Sequence, residues 1–410
     1  MHTGLEAAVY PGARRDVGRF STAMQACAGT IALGIAGSRR PGTTPRVPAS
    51  AIDSMSLVPN EEHQPRRGTR ESRLLTARDV AERAHVHPST VSRVLNPTQR
   101  HRVSKQTARR VEKAVQELGY EANASARGLR TGRSRTVGVV IPDLTNPLFP
   151  PVVRGIEDYL DPFGYAALLY NTDSDPERER RGCAALAARG VDGMLVASTG
   201  SDLAPLDAAL TAGQPIVLIN RRADRASVPA VVPDDRRGMA LAVEHLVELG
   251  HRAVAHLAGP ADISTTRERA ASFAEAMRAH GQEPEPRLIV RSESLSAGAG
   301  IEPAQRLLDG GAPFTAVCAA NDLLALDCID VLREAGLGCP QDVSVVGFND
   351  IPFADRFTPA LTTLHFSHYE MGRTAAEMLM DQLTGDGAPA RTVILDTRLV
   401  IRTSTAPPST

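Results

Sequence analysis

The sequence predicts a small all-α head joined to a larger α/β core of two doubly wound parallel sheets, and three observations carry that reading. Between residues 76 and 118 the apolar side chains recur at helical spacing in three short runs. From Thr136 onward, short β-branched runs alternate with amphipathic stretches, the pattern of parallel strands with crossover helices, and the pattern restarts at Ala253. Charge divides at the same boundary. Residues 74–135 hold 13 Arg or Lys against 5 Asp or Glu, a net of +8, whereas residues 136–410 hold 23 against 36, a net of −13. The formal charge of −1 over 410 residues therefore conceals a basic head on an acidic body. That split is the electrostatic footprint of a nucleic-acid-binding module on a domain that need not touch phosphates.

Residues 1–72 carry the weakest signal. They are rich in Gly, Pro, Ala, Ser, Thr and Arg and are expected to be a disordered or mis-assigned extension. Arg14, Arg15 and Arg19 precede a small-residue run over 23–37 that imitates a secretory signal, an address with no physical use for a basic head of the nucleic-acid-binding kind. Translation from Met55 is the competing expectation, leaving a short basic arm over 66–73.

The first helix falls at 76–84, with Thr76 as cap, Asp79 three residues on, and Val80, Ala81 and Ala84 on one face. A tight connection through His85 and Val86 leads to a second helix. There Pro88 takes the first position and His87 is a weak cap. Val91, Val94 and Leu95 point to the core, which leaves Ser89, Thr90, Ser92 and Arg93 outward. Two short helices crossing this way form a helix-turn-helix, although an ordinary helical hairpin has the same amphipathicity. Arg93 can read a guanine bidentately in the major groove, while the Thr90 and Ser92 hydroxyls suit phosphate oxygens. A third helix over 103–118, capped by Ser104, sets Ala108, Val111, Val115 and Leu118 in a stripe and stops at Gly119.

At this point the sequence resembles the lactose repressor (LacI/GalR) family of transcription factors. The matching residues are Asp79-Val80-Ala81, Thr90-Val91-Ser92-Arg93-Val94-Leu95-Asn96, Leu118-Gly119-Tyr120, Asn123-Ala124 and Ala126-Arg127-Gly128-Leu129-Arg130-Thr131-Gly132, within a likeness spanning about 76–403. The resemblance implies a cytoplasmic regulator, most often a repressor, that binds double-stranded operator DNA as a homodimer or dimer of dimers. It implies a DNA-binding domain over 74–121, with Pro88 and Ser89 joining the DNA-facing surface. It further implies a hinge over 122–135 that folds on the operator. In that hinge Asn123 and Ala126 share a face with Leu129, the apolar wedge that unstacks the central base step in the minor groove. Gly128 lowers helix propensity and Ala122 stands where many relatives carry proline, so the hinge should order less readily without DNA.

Strands are expected at 137–141, 166–170, 193–196 and 216–219, with helices near 147–160, 177–189 and 203–212 between them. Further strands are expected at 253–257, 288–290, 316–318 and 343–347. The resemblance makes 136–403 a two-lobed, periplasmic-binding-protein-like effector and dimerisation domain that the chain crosses three times. Residues 366–388 then return to the first lobe, the last strands belong to the second, and 404–410 form a flexible tail.

Loops after parallel strands are where such cores bind ligands. Asp143 and Asn146 follow the first strand and can bond hydroxyls, with Phe149 to stack on a sugar ring. Arg221 follows the fourth strand. Arg269 stands where the resemblance places a ligand arginine, and Arg267 is its neighbour. Asn321, Asn349 and Asp350 follow strands of the second lobe. Carboxylates, amides and arginines suit a polyol, whose oxygens each need a partner once buried, so a small sugar or sugar derivative is the expected effector, with a nucleobase or a phosphosugar as the alternatives. Phe366 stands where some sugar-binding relatives carry a polar contact, which suggests an apolar wall.

Catalysis finds little support. Ser296-Ala-Gly-Ala-Gly300 lacks phosphate-loop spacing and lysine, no G-x-S-x-G occurs, and His365 and His368 have no metal-ligand partner nearby in sequence. No cofactor or metal is expected. The five cysteines, at 27, 183, 318, 328 and 339, form no C-x-x-C pair and read as reduced thiols. A free-standing small-molecule binding protein would share the core but not the head.

Overall fold

The computed structural model describes residues 75–95, 99–120, 133–198, 200, 202–224, 228–385 and 389–409. In the head, α1 (Ala77–Ala84) begins with a full capping box, in which Thr76 accepts from the Asp79 amide and Asp79 accepts from the Thr76 amide. His85 ends it in the left-handed conformation, φ 51°, so that its amide reaches the carbonyls of Ala81 and Glu82. The chain then enters α2 (Pro88–Val94), capped by the His87 ring nitrogen on the Ser89 amide. Next comes α3 (Lys105–Leu118), capped by Ser104 and stopped by Gly119 at φ 61°. Val80, Ala81, Ala84, Val91, Val94, Ala108, Val111 and Ala114 close a core of eight small apolar residues. Val115 and Leu118, expected inside, are only partly buried, and Ala114 takes the inner position. With so small a core the exact length of each buried side chain matters.

Two six-stranded sheets build the body. The first lobe runs β1 (Thr136–Ile141), α4 (Phe149–Leu160), β2 (Ala166–Asn171), α5 (Pro176–Ala188), β3 (Gly193–Val196), α6 (Asp207–Thr211), β4 (Ile216–Ile219) and β5 (Ala230–Pro233). The second lobe runs α7 (Asp235–Glu248), β6 (Val254–Ala258), α8 (Ser264–Ala279), β7 (Ile289–Arg291), α9 (Ile301–Asp309), β8 (Ala316–Ala319), α10 (Asp322–Glu334), β9 (Ser344–Asn349) and β10 (Thr362–His365). The chain then returns through α11 (His368–Thr384) and β11 (Thr392–Leu395) before β12 (Arg398–Val400). Strand orders are β11-β5-β4-β3-β1-β2 and β12-β10-β9-β8-β6-β7, parallel throughout except that β12 runs antiparallel to β10. Central strands such as β3 and β4 are wholly buried, as sheets covered by helices on both faces must be.

Three passages join the lobes, at Asp234, at 366–367 and at 396–397. The last strands were expected in the second lobe together. Instead β11 extends the first sheet beside β5, and only β12 belongs to the second. Nor is 404–410 a flexible tail over its described part. Ser404 is fully buried, its hydroxyl donates to the Val345 carbonyl at 2.6 Å, and His251 holds the Ala406 carbonyl at 2.9 Å. α11 docks on α4 in the first lobe backbone to backbone. A Cβ on Gly372 would stand 1.9 Å from the Val152 carbonyl oxygen, and one on Gly155 would stand 2.1 Å from that of Tyr369.

Candidate nucleic-acid interface and ligand cleft

On the head, α2 turns Val91 and Val94 inward and leaves Arg93 and Ser89 exposed, with Pro88, Thr90 and Ser92 half-buried beside them. Ser89 is partly engaged already, its hydroxyl lying 2.8 Å from His87 Nδ1. One helix side thus presents an arginine fork among short hydroxyls, the composition that positions on phosphates and reads a base edge. Asn123, Ala126 and Leu129 of the expected hinge lie outside the described residues. Where the chain resumes, Ser134 and Arg135 donate backbone bonds to the Asp192 carboxylate, tying this exit to the first lobe.

Between the lobes lies a cleft of about 570 Å³, a size that encloses a small ligand. Of the eight residues expected there, Asp143, Asn146, Phe149, Arg221, Arg269, Asn321 and Asn349 line it. Asp143 and Asn146 fold their own loop, accepting from the Thr145 and Leu148 amides. Phe149 opens α4 and is buried against the first-lobe core. Asn321 caps α10 through the Leu324 amide and donates to the Leu295 carbonyl, so both ends of its amide are engaged. Arg221 reaches across to the second lobe, its Nη1 donating to Thr265 Oγ1 at 3.1 Å. Burial, and then the Arg269 charge, hold the Arg221 guanidinium down to about 10.

Asp350 is a correction. Its carboxylate accepts from Arg402 at 2.6 Å and faces His365 at 2.9 Å, behind the cleft and not in its lining. The adjacent Asn349 is the lining residue, at φ 123°, and the left-handed Asp350 follows at 55°. Two such positions in succession are the kind of strain that site loops retain. Phe366 is no cleft wall either. It lies 1% exposed in the second passage, packed on Phe348 and His368. Arg267 pairs with Asp224 across the lobes and does not line the cleft.

Several lining residues went unread in the sequence: Glu179, Ser198, Asn220, Asp262 and Glu293. Ser198 and Asn220 sit just past β3 and β4, so the position after a parallel strand was the available signal. Five polar atoms of lining side chains are buried without a hydrogen-bond partner. They are Ser198 Oγ, Asn220 Oδ1, Arg221 Nε, Arg269 Nη2 and Asn349 Oδ1. Among the described residues no cluster of His, Cys, Asp and Glu could hold a metal, and no helix is long and apolar enough to cross a membrane. Burial pushes the free thiols of Cys183, Cys318, Cys328 and Cys339 up to about 12.

Residues 76–123 match the bacterial regulatory proteins of the lacI family, and residues 243–405 match the periplasmic binding protein-like domain. The HTH-type transcriptional repressor CytR of Escherichia coli K12 is 34% identical over 334 residues, covering 80% of this chain and 96% of that protein. The chain belongs to the lacI family of bacterial regulatory proteins. Two solved structures align over nearly their whole length. The transcriptional regulator CelR in complex with cellobiose is 32% identical with a TM-score of 0.62, covering 80% of this chain and 99% of that one. The lac repressor dimer bound to operator and the anti-inducer ONPF is 28% identical with a TM-score of 0.71, covering 81% and 99%. As a lacI-family member this protein is a transcriptional regulator whose DNA-binding head is coupled to a small-molecule effector domain.

Proposed function

We propose that this regulator represses transcription from a roughly palindromic operator as a homodimer, and that an uncharged, hydroxyl-rich effector of the sugar class binds in the interlobe cleft and alters operator affinity. Arg93 reads base edges from the major groove while Pro88, Ser89, Thr90 and Ser92 set the helix on the backbone. Asn123, Ala126 and Leu129 complete the interface in the minor groove.

The observation that carries the effector reading is the set of five partnerless polar atoms in the cleft lining. Each costs stability while buried alone and gains a partner from a ligand hydroxyl. All five are covered in the present arrangement, so a ligand reaches them only as the lining or the lobes shift. That is the differential binding an allosteric effector needs, since equal affinity for two arrangements moves neither. Charge narrows the class. Asp143, Glu177, Glu179, Asp202, Asp262 and Glu293 line the cleft against Arg180, Arg221 and Arg269, an excess that opposes a phosphate ester. The cellobiose bound to CelR supports a sugar.

Selection from random duplex DNA with the purified protein, at two salt concentrations, tests the operator reading. An enriched palindrome is expected, and a sequenced pool without one would sink it. Release from that operator is then assayed with cellobiose, monosaccharides and sugar phosphates. Response to the phosphates alone would overturn the uncharged class.

A further inference from the structure

The cleft and all three interlobe passages lie against one assembly, built around Arg269 of α8 with Asp235 and Phe348. Its guanidinium is held on three sides. Nε donates to Asp235 Oδ1 at 2.7 Å, Nη1 donates to the Ala320 carbonyl at 2.5 Å, and the central carbon lies 3.6 Å over the Phe348 ring. Both members of the ion pair are buried, at 2% and 6% exposure. Nη2 has no partner, and Arg269 lines the cleft.

Each passage lies against this assembly. Asp235 is the first residue of α7, immediately after the passage at Asp234. Phe348 packs ring to ring at 6.3 Å on Phe366 in the second passage. A Cβ on Gly238 would stand 2.7 Å from Phe348 and 3.1 Å from Thr397 of the third passage, so α7, β9 and that passage touch with no room for a side chain between them. Arg237 also reaches the third passage, its Nη1 lying 3.0 Å from Asp396 Oδ1.

We propose that Asp235 is the positioning residue that links the cleft to the passages: it aims Arg269 at the ligand and, as the start of α7, moves with the segment that joins the lobes. The inference rests on reading the cleft as the effector site and adds the route by which occupancy is felt. Nε and Nη2 belong to one rigid planar group. A ligand oxygen drawn to Nη2 turns that plane over the Phe348 ring, and the turn reaches Asp235 through Nε. The carboxylate is also the buried counter-charge near Arg221 as well as Arg269. Its removal therefore destabilises the fold whatever else it does, and the test has to separate a local link from a global loss.

Amide hydrogen exchange on the full chain, without ligand, makes that separation. Asp235→Asn keeps the side chain's size and removes its charge, whereas Asp235→Glu keeps the charge. Expected for Asp235→Asn is a rise of about tenfold or more in exchange over 230–238, 344–350, 364–368 and 394–400, with β1 and β3 unchanged. Asp235→Glu should restore part of the protection. A uniform rise across both lobes, or no rise at the passages, overturns the proposal. Should Asp235→Asn fail to fold, Arg269→Lys retains the buried charge pair but lacks the planar fork. It must loosen the same segments, and unchanged exchange there is equally fatal. Because this readout needs neither operator nor effector, a failed DNA selection or sugar screen leaves it standing and is recognisable as a failure of the functional reading alone.

Discussion

At the scale of single residues, Arg93 and Asp322 illustrate opposite relations to solvent. Arg93 is exposed on α2 and owes the fold little, so Arg93→Ala should leave the melting temperature unchanged while costing about 1–3 kcal/mol of operator binding. Base preference should relax at one position per half-site, and a selected site of undiminished specificity would move base reading elsewhere. Asp322 is fully buried at the start of α10, where it accepts from the Ile351 amide and the Thr363 hydroxyl. Only the missing side chain of Gly347 lets the carboxylate lie so close, since a Cβ there would stand 2.2 Å from it. Burial raises its pKa from 3.8 to about 6, against the pull of both hydrogen bonds. The folded form therefore holds its proton more tightly than the unfolded chain. Stability from this group is present below about pH 4 and declines as pH rises through about 6, by an amount on the order of 3 kcal/mol. Asp322→Asn should flatten that part of the stability profile in urea melts from pH 4 to pH 7. A slope equal to that of the wild type would refute the assignment.

Much of this scale was legible in advance, because cleft residues follow strands and capping residues precede helices. Asp235 was not. It reads in sequence as one more acidic residue at a helix start, and only the fold brings Arg269, 34 positions away, onto it. Asp350 misled for the complementary reason. Its place after a strand is that of a ligand residue, yet Arg402 and His365 arrive from distant chain and claim both oxygens.

Among the elements, α4 and α11 carry a further prediction. Their axes approach through Gly155 and Gly372, where a methyl group would meet a carbonyl oxygen rather than a flexible side chain. Backbone cannot yield as a rotamer does. Gly372→Ala should cost about 3 kcal/mol, the upper end of overpacking penalties, measured by denaturant midpoint. A midpoint matching the wild type would mean that the helices separate freely. Helices announce themselves through apolar periodicity over 12 or more residues, as α3 and α4 do. β5, β10 and β11 went unread although they are no shorter than β3 and β4, which were read. Each of the three ends where the chain changes lobe, so none is followed by the crossover helix within its own lobe that marks a parallel strand. For β5 and β11 the deciding partner lies 162 positions away, as Val231 pairs with Val393.

For the molecule as a whole, the charge division between head and body predicts two salt dependences. Operator affinity should fall steeply with salt, since the +8 of residues 74–135 is what releases counterions from DNA. Affinity for an uncharged effector in the cleft should hardly change over the same range. Parallel decline of both would show that the two sites are not electrostatically separate, and isothermal titration at 50 and 200 mM salt distinguishes the cases.

The sequence by itself determined the class of the molecule: three capped helices with small apolar faces, two runs of alternating strand and helix, and a basic head on an acidic body. These are local properties, set by spacing, capping and side-chain charge within a few turns of chain. What only the tertiary structure decided is how the lobes are joined and which polar groups they leave without partners. β11 stays in the first sheet, residues 404–409 pack on the second lobe, and Arg269 is clasped between Asp235 and Phe348. Each depends on pairings between residues far apart in the chain, whose stability comes from burial that no local pattern records.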